Sequence, residues 1–353
     1  MKIYKVFSCA AALTLISSVF AESVDKQGAF PAHKKNMPHV YPSFGSIERL
    51  DPALDALIPQ NAVLEKLAEG FTWSEGPVWD KKQKCLFFSD VPQNIVFRWQ
   101  EGVGTQGFLR PSGYTGSTPR GGEPGSNGLT IDSQGRLCLC QHGDRRVARL
   151  EKDGKQTALA EFYNWRRFNS PNDLVYKSNG DLYFTDPPYG LIGNNNDPNK
   201  ELPFNGVFRV DKKGGVTLLT GAMTFPNGLA FSPDEKKLYV AQSDPKQAVI
   251  MVYDVQKDGT LGRGSVFFDA NSLVPGHKGL PDGMKVDKYG NLFATGPGGV
   301  LIISPEGKHL GTINTGEPTA NCAWAEDGST LYITANMYLA RIRTTTKGIG
   351  FSK

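Results

Sequence analysis

The stretch NSPNDLVYKSNGDLYFTDPPYG, residues 169–190, sets a polar residue, Asn172, between a proline and an aspartate at the head of an alternating, strand-forming run. Strands disfavour Asn, Asp and Pro, so that polar head needs a reason. Recurrence supplies the test, because one residue type at a fixed offset implies a shared geometric position. Five further segments align under it: EGPVWDKKQKCLFFSD from Glu75, NGLTIDSQGRLCLCQ from Asn127, NGLAFSPDEKKLYVAQ from Asn227, DGMKVDKYGNLFATG from Asp282 and NCAWAEDGSTLYITA from Asn321. Each opens on a polar residue, runs through a short apolar alternation and reaches a charged or glycine-bearing turn. A second strand then begins at Leu86, Leu137, Leu182, Leu238, Leu292 or Leu331, ten or eleven residues after the opening residue.

A strand, a tight turn and a second strand, repeated about every 50 residues, fits a radial array of four-stranded blades. The outer strands are visible as NIVFRW, RRVARLEK, GVFRVDKKGGVTLL, QAVIMVYDV and GVLIISPEGKHLGTI. The fold class is therefore all-β, a six-bladed β-propeller over residues 61–345. After the sixth unit only YLARIRT remains, so NAVLEKLAEGFTW, residues 61–73, is expected to supply the missing strand and close the ring. Residues 22–60, containing PAHKKNMPHVYPSF, read as an irregular leader on the surface. Residues 101–126 and 191–205 read as long polar loops, the usual seat of selectivity on a rigid scaffold.

The first 21 residues stand apart. MKIYK is basic, VFSCAAALTLISSVFA is an apolar run, and small residues precede Glu22, as in an export signal. The run is short for a membrane span. The mature chain is expected to begin near Glu22 and to work in the periplasm or as a secreted protein. No other segment is apolar enough to span a bilayer. The formal charge of +4 is scattered among acids with no basic stripe, which argues against nucleic-acid binding. High Gly (40) and Pro (23) contents favour turns over helices. Cys85, Cys138, Cys140 and Cys322 show no zinc spacing and read as small buried hydrophobes. A monomer or weak dimer is expected.

In a propeller the innermost strand of each blade lines the central channel, so Glu75, Asn127, Asn172, Asn227, Asp282 and Asn321 should converge at its mouth. Carboxylates and amide oxygens form a hard donor set that suits calcium better than zinc. The alternative is a wet channel in which these side chains only satisfy turn donors. Against it stands the repulsion between buried carboxylates that lack a cation.

The motifs SEGPVW around Glu75, SPND around Asn172, FPNGLAFSPD around Asn227 and LPDGM around Asp282 resemble those of the senescence marker protein, gluconolactonase and regucalcin family. LCLCQHGDRRV and YFTDPPYG resemble its bacterial gluconolactonase branch. The resemblance spans roughly residues 62–343. It implies a six-bladed propeller, one divalent metal in the channel, and hydrolysis of a sugar lactone such as glucono-1,5-lactone. It implies Glu75, Asn227 and Asp282 as metal ligands, with Asn172 beside the metal or substrate. Calcium is the first choice, with Zn2+, Mn2+ or Mg2+ as alternatives.

Lactone hydrolysis develops negative charge on the carbonyl oxygen, which a cation stabilises while acidifying a bound water. Asp282 is the first candidate for the base and His142, in QHGDRR, the second. Asn127, Asn172, Arg167 and Asn169 are candidates for binding the sugar. Asp90 and Asp186, at equivalent second-strand ends, could orient the ligands or cap turns. No G-x-S-x-G serine and no paired Cys–His is present, so a covalent serine-hydrolase route is disfavoured. A propeller hydrolase of other lactones or organophosphates, and a propeller that only binds sugar or protein, are the competing classes.

Overall fold

A computed structural model describes residues 40–351. The export signal expected over the first 21 residues lies outside the described residues. Among the described residues no helix is long and apolar enough to cross a membrane.

The chain forms six antiparallel blades in a ring, numbered here in chain order. Blade 1 comprises Ser74–Asp80, Cys85–Asp90, Ile95–Gln100 and Gly104–Leu109; blade 2, Ser126–Ile131, Leu137–Gln141, Arg146–Leu150 and Gln156–Ala160. Blade 3 comprises Leu174–Tyr176, Leu182–Asp186, Gly206–Val210 and Val216–Thr220; blade 4, Pro226–Phe231, Lys237–Asp244, Gln247–Asp254 and Ser265–Asp269. Blade 5 comprises Met284–Val286, Leu292–Gly296, Gly299–Ile303 and His309–Asn314. Blade 6 takes Thr319–Ala325, Thr330–Ala335 and Tyr338–Arg343 from the end of the chain and Leu64–Glu69 from its start. Leu339 pairs with Ala68 and Arg341 with Glu65, closing the ring with an early strand on the last blade.

The apolar runs follow from burial on both faces of each blade. In Cys85–Asp90, Cys85 and Phe87 pack against Leu129, Leu137 and Leu139 of blade 2, while Leu86 and Phe88 pack against Ala323, Ala325 and Tyr332 of blade 6. Alternate residues point to opposite faces, so a strand between two blades reads as continuously hydrophobic. The core accordingly consists of six clusters, one at each interface between neighbouring blades. The six second-strand leucines are all buried within them, each contributing about 1.5–3 kcal/mol by burial. Cys138 and Cys140 share the blade 3 face, and the four described cysteines are free and buried.

Two expectations change. The leader is not irregular throughout: Ser43–Phe44 adds to blade 6, Ser46–Arg49 adds to blade 5, and a 3-10 turn spans Pro52–Ala56. Leu54, Leu57 and Ile58 enter the core between these blades, so this part of the leader is not merely laid on the surface. Their apolar spacing is too brief to register as a helix or strand pattern. Within the loop expected over 101–126, Gly104–Leu109 is the outer strand of blade 1. Its two glycines and exposed polar residues suit an edge strand and mask the alternation.

Candidate active site at the channel mouth

The polar heads of the repeats mark irregularities in the inner strands. Register shifts fall between Glu75 and Val78, Ser126 and Leu129, Pro226 and Leu229, and Thr319 and Asn321. A bulge re-aims a side chain that a regular strand would send into the pleat. The glycine after several of these residues permits the approach of the next blade. A Cβ on Gly76, whose φ is +53°, would lie 2.2 Å from the Asn127 carbonyl oxygen. One on Gly228 would lie 2.3 Å from the Asp282 carbonyl oxygen. Backbone contact between neighbouring inner strands thus sets the spacing of the polar side chains.

Two second-strand aspartates hold the entry turns. Asp186 accepts from the amides of Asn169 and Ser170, both at 2.8 Å, and Asp90 accepts from those of Thr72 and Trp73 at 3.0 and 3.2 Å. Each clamps the segment two to three residues ahead of a mouth residue, Asn172 or Glu75. Burial pushes the Asp186 carboxyl up to about 7, against the pull of its two amide donors.

Glu75, Asn127, Asn172, Asn227 and Asn321 are all at most 5 % exposed, and Asp282 is partly exposed. Asn172 donates through Nδ2 to Asn227 Oδ1, and Asn227 Nδ2 donates to Ser243 Oγ at 2.9 Å. His142 Nε2 lies 3.1 Å from Asn172 Oδ1. Because that oxygen only accepts, the imidazole carries a proton on Nε2. His142 Nδ1 lies 3.2 Å from Glu123 Oε2, though without hydrogen-bond alignment. Asn321 Nδ2 points to Glu75 Oε2 and Asp173 Oδ2 at 3.3 and 3.4 Å, and its Oδ1 lies 3.4 Å from Lys285 Nζ.

Burial, then the neighbouring charge of Asp173, pushes the Glu75 carboxyl up to about 8. Asp282 is raised well above the usual carboxylate range by burial and by the charges of Glu75, Asp173 and Glu123. Asp173 is raised by its own burial, and Lys285 opposes that shift. Three acids therefore face each other with one lysine nearby. Asp282 Oδ1 and Asn127 Oδ1 are buried without hydrogen-bond partners. Among the described residues, no three carboxylate, imidazole or thiol groups stand close enough to hold a metal by themselves. A cation here would lean on the amide oxygens as well. The donor set fits a hard divalent ion, which would relieve both the repulsion and the orphaned oxygens.

The expected sugar-binding residues divide. Asn127 and Asn172 are at the mouth. Asn169 is fully enclosed, and its Nδ2 faces Asp186 O, Phe204 O and Asn205 Oδ1 at 3.0–3.1 Å. This nitrogen pins a loop, while Asn169 Oδ1 is buried without a partner, as Asn127 Oδ1 is. Arg167 gives Nη2 to the Asp144 carbonyl and its backbone amide to Glu201, while its Nε is buried without a partner. Asp173, Glu123 and Lys285 were missed by sequence reasoning. Asp173 had a signal, since it stands in SPND where four of the other five repeats carry glycine; Glu123 lies in a polar loop that has no counterpart in the other repeats.

These features define a six-bladed propeller with a buried, acid-rich channel mouth. The family model of the SMP-30/gluconolactonase/LRE-like region matches residues 73–337, and the chain belongs to this family. It is 41% identical over 331 residues to a gluconolactonase of Zymomonas mobilis, covering 91% of this chain and 92% of that one. A gluconolactonase structure from Xanthomonas campestris superimposes with a TM-score of 0.76 at 32% identity, over 88% of this chain and 99% of the other. The fold also matches regucalcin, a calcium-binding protein of Agrobacterium tumefaciens, with a TM-score of 0.64 at 20% identity, over 81% of this chain and 94% of that one.

Proposed function

We propose that this protein opens a sugar lactone, of the glucono-1,5-lactone type, to its aldonic acid by a cation-assisted attack of water at the channel mouth. Lactone hydrolysis as the reaction class rests on kinship with the gluconolactonases. The observation that supports a cation is the burial of Glu75 beside Asp282, with Asp282 Oδ1 unpartnered. Glu75, Asn172, Asn227 and Asp282 would hold the ion, and their oxygen donors suit calcium. Such an ion, when bound, supplies charge stabilisation at the carbonyl oxygen and acidifies water.

The protein's own groups do the rest. Asp282, partly exposed where the other mouth residues are enclosed, is the proton acceptor within reach of water. His142 has Nε2 engaged by Asn172, so it holds that amide's oxygen and turns the Asn172 amide nitrogen toward Asn227. Asn127 offers an unpaired amide oxygen to a substrate hydroxyl. The basic MKIYK and the apolar run behind it support export of the mature chain. The function is tested by acid release from glucono-1,5-lactone at constant pH. Release above the spontaneous rate, lost on chelation and restored by calcium, supports the proposal. No rate above the spontaneous one leaves a binding propeller.

A further inference from the structure

The loop after the second strand of blade 3 carries Tyr189 to the mouth. Its position is fixed by several bonds. Ser170 Oγ donates to the Pro187 carbonyl at 2.6 Å and accepts from the Gly190 amide at 2.9 Å. Arg120 donates to the carbonyls of Gly190 and Gly143, tying the loop to the 110–126 segment and to blade 2. A Cβ on Gly190 would stand 2.6 Å from the Cβ of His142, so the loop lies directly against that histidine. The Tyr189 ring stacks on Phe225, with centroids 5.8 Å apart and planes 16° from parallel. Phe225 immediately precedes the strand that carries Asn227.

The hydroxyl at the end of this rigid side chain is buried and has no aligned hydrogen-bond partner. The polar side chains around it are Asp282, Ser243, Glu123 and Asn227. Ser243 gives its only proton to the Pro281 carbonyl and accepts from Asn227, so it has none to donate to Tyr189. A buried hydroxyl left unpaired costs about 1–3 kcal/mol, and its place beside Asp282 puts it where a bound substrate would sit. A tyrosine there offers an apolar face and one polar tip, a combination suited to a sugar ring and its hydroxyl.

We propose that Tyr189 selects the substrate by hydrogen-bonding, through Oη, a hydroxyl that a polyhydroxylated lactone carries and a bare lactone lacks. This rests on the lactonase reading and adds the substrate group that the site reads. A site built to bond a hydroxyl discriminates strongly against analogues without it, because its own polar atom is then left unpaired.

The test compares glucono-1,5-lactone with unsubstituted δ-valerolactone, using the calcium-loaded wild-type protein and Tyr189→Phe. Phenylalanine keeps the stack on Phe225 and removes only the hydroxyl. We expect kcat/KM for gluconolactone to fall roughly tenfold while that for δ-valerolactone stays within about twofold. Thermal unfolding should be unchanged or slightly raised. If both rates fall together, Tyr189 supports the site structurally; if neither falls, it does not touch the substrate. Either result overturns the inference while the lactonase reading stands. Wild-type protein inactive on both lactones overturns that reading and this inference with it.

Discussion

Asn172 and Asn227, in different blades, are joined side chain to side chain, Asn172 Nδ2 donating to Asn227 Oδ1. Asn172 Oδ1 in turn faces His142 Nε2, so one amide fixes the orientation of two neighbours. Replacing Asn172 by Ala leaves a buried imidazole N–H and a buried amide oxygen unpaired, each costing about 1–3 kcal/mol. Asn172→Ala should lower lactonase kcat/KM by at least about tenfold and reduce Tm by several degrees. Steady-state kinetics with calorimetric unfolding checks both, and undiminished activity would remove Asn172 from the site.

The buried acids predict an unusual stability profile for chelated protein. Glu75 is raised to about 8, and Asp282 and Asp173 are raised in the same direction. Between the ordinary 4.5 of the Glu75 carboxyl and its folded value of about 8, the native state binds more protons than the unfolded one. The contribution of these groups to stability is therefore greatest on the acid side and is lost as pH rises toward about 8. Tm measured in chelator from pH 5 to 8.5 should show that loss, and Glu75→Gln should reduce it. Calcium should remove it, because the bound ion favours the ionised carboxylates. A profile identical in wild type and Glu75→Gln would contradict the assigned cause.

Gly228 sets how closely blade 4 approaches blade 5. A methyl group there meets the Asp282 carbonyl oxygen at 2.3 Å, so Gly228→Ala must push the two inner strands apart. Displacements near 1 Å at a reacting centre can cost about a hundredfold in rate. We expect that order of loss in kcat, with the far-UV circular dichroism of an intact propeller. Wild-type kinetics from Gly228→Ala would show that the strand spacing does not set the site.

Ring closure depends on a charged latch. Arg341, only 5 % exposed, donates to Glu65 of the closing strand at 2.6 Å and to Glu101 in the turn between the third and fourth strands of blade 1. Glu65 and Glu101 keep access to water, so losing these ion pairs costs about 1 kcal/mol, to which the lost packing of the arginine stem adds. Arg341→Ala should lower the denaturant midpoint with little change in KM. An unchanged midpoint would mean that strand pairing alone holds the ring.

The six repeats, the leucines at the second strands and the closing strand were legible because blade geometry imposes a fixed offset between a polar head and a buried leucine. The ordered part of the leader was not, since Leu54, Leu57 and Ile58 use a single 3-10 turn with no period to detect. At the mouth, Glu75, Asn172, Asn227 and Asp282 could be read from their repeated positions. Glu123, Asp173 and Tyr189 could not be placed in the same way. Two are delivered by loops unique to one blade, and Asp173 replaces a glycine in only one repeat. Asn169 stands out in the sequence because it is polar and near Asn172, and the sequence does not reveal that its amide nitrogen holds Asp186, Phe204 and Asn205 together.

Everything proposed for the channel mouth requires Glu75, Asn227 and Asp282 to share one cation. Calorimetric titration of chelator-stripped protein with calcium tests it most directly, run in parallel on wild type, Glu75→Gln and Asp282→Asn. The wild type should bind one calcium per chain, and both variants should lose that binding. Calcium bound equally by all three proteins, or by none, would contradict it.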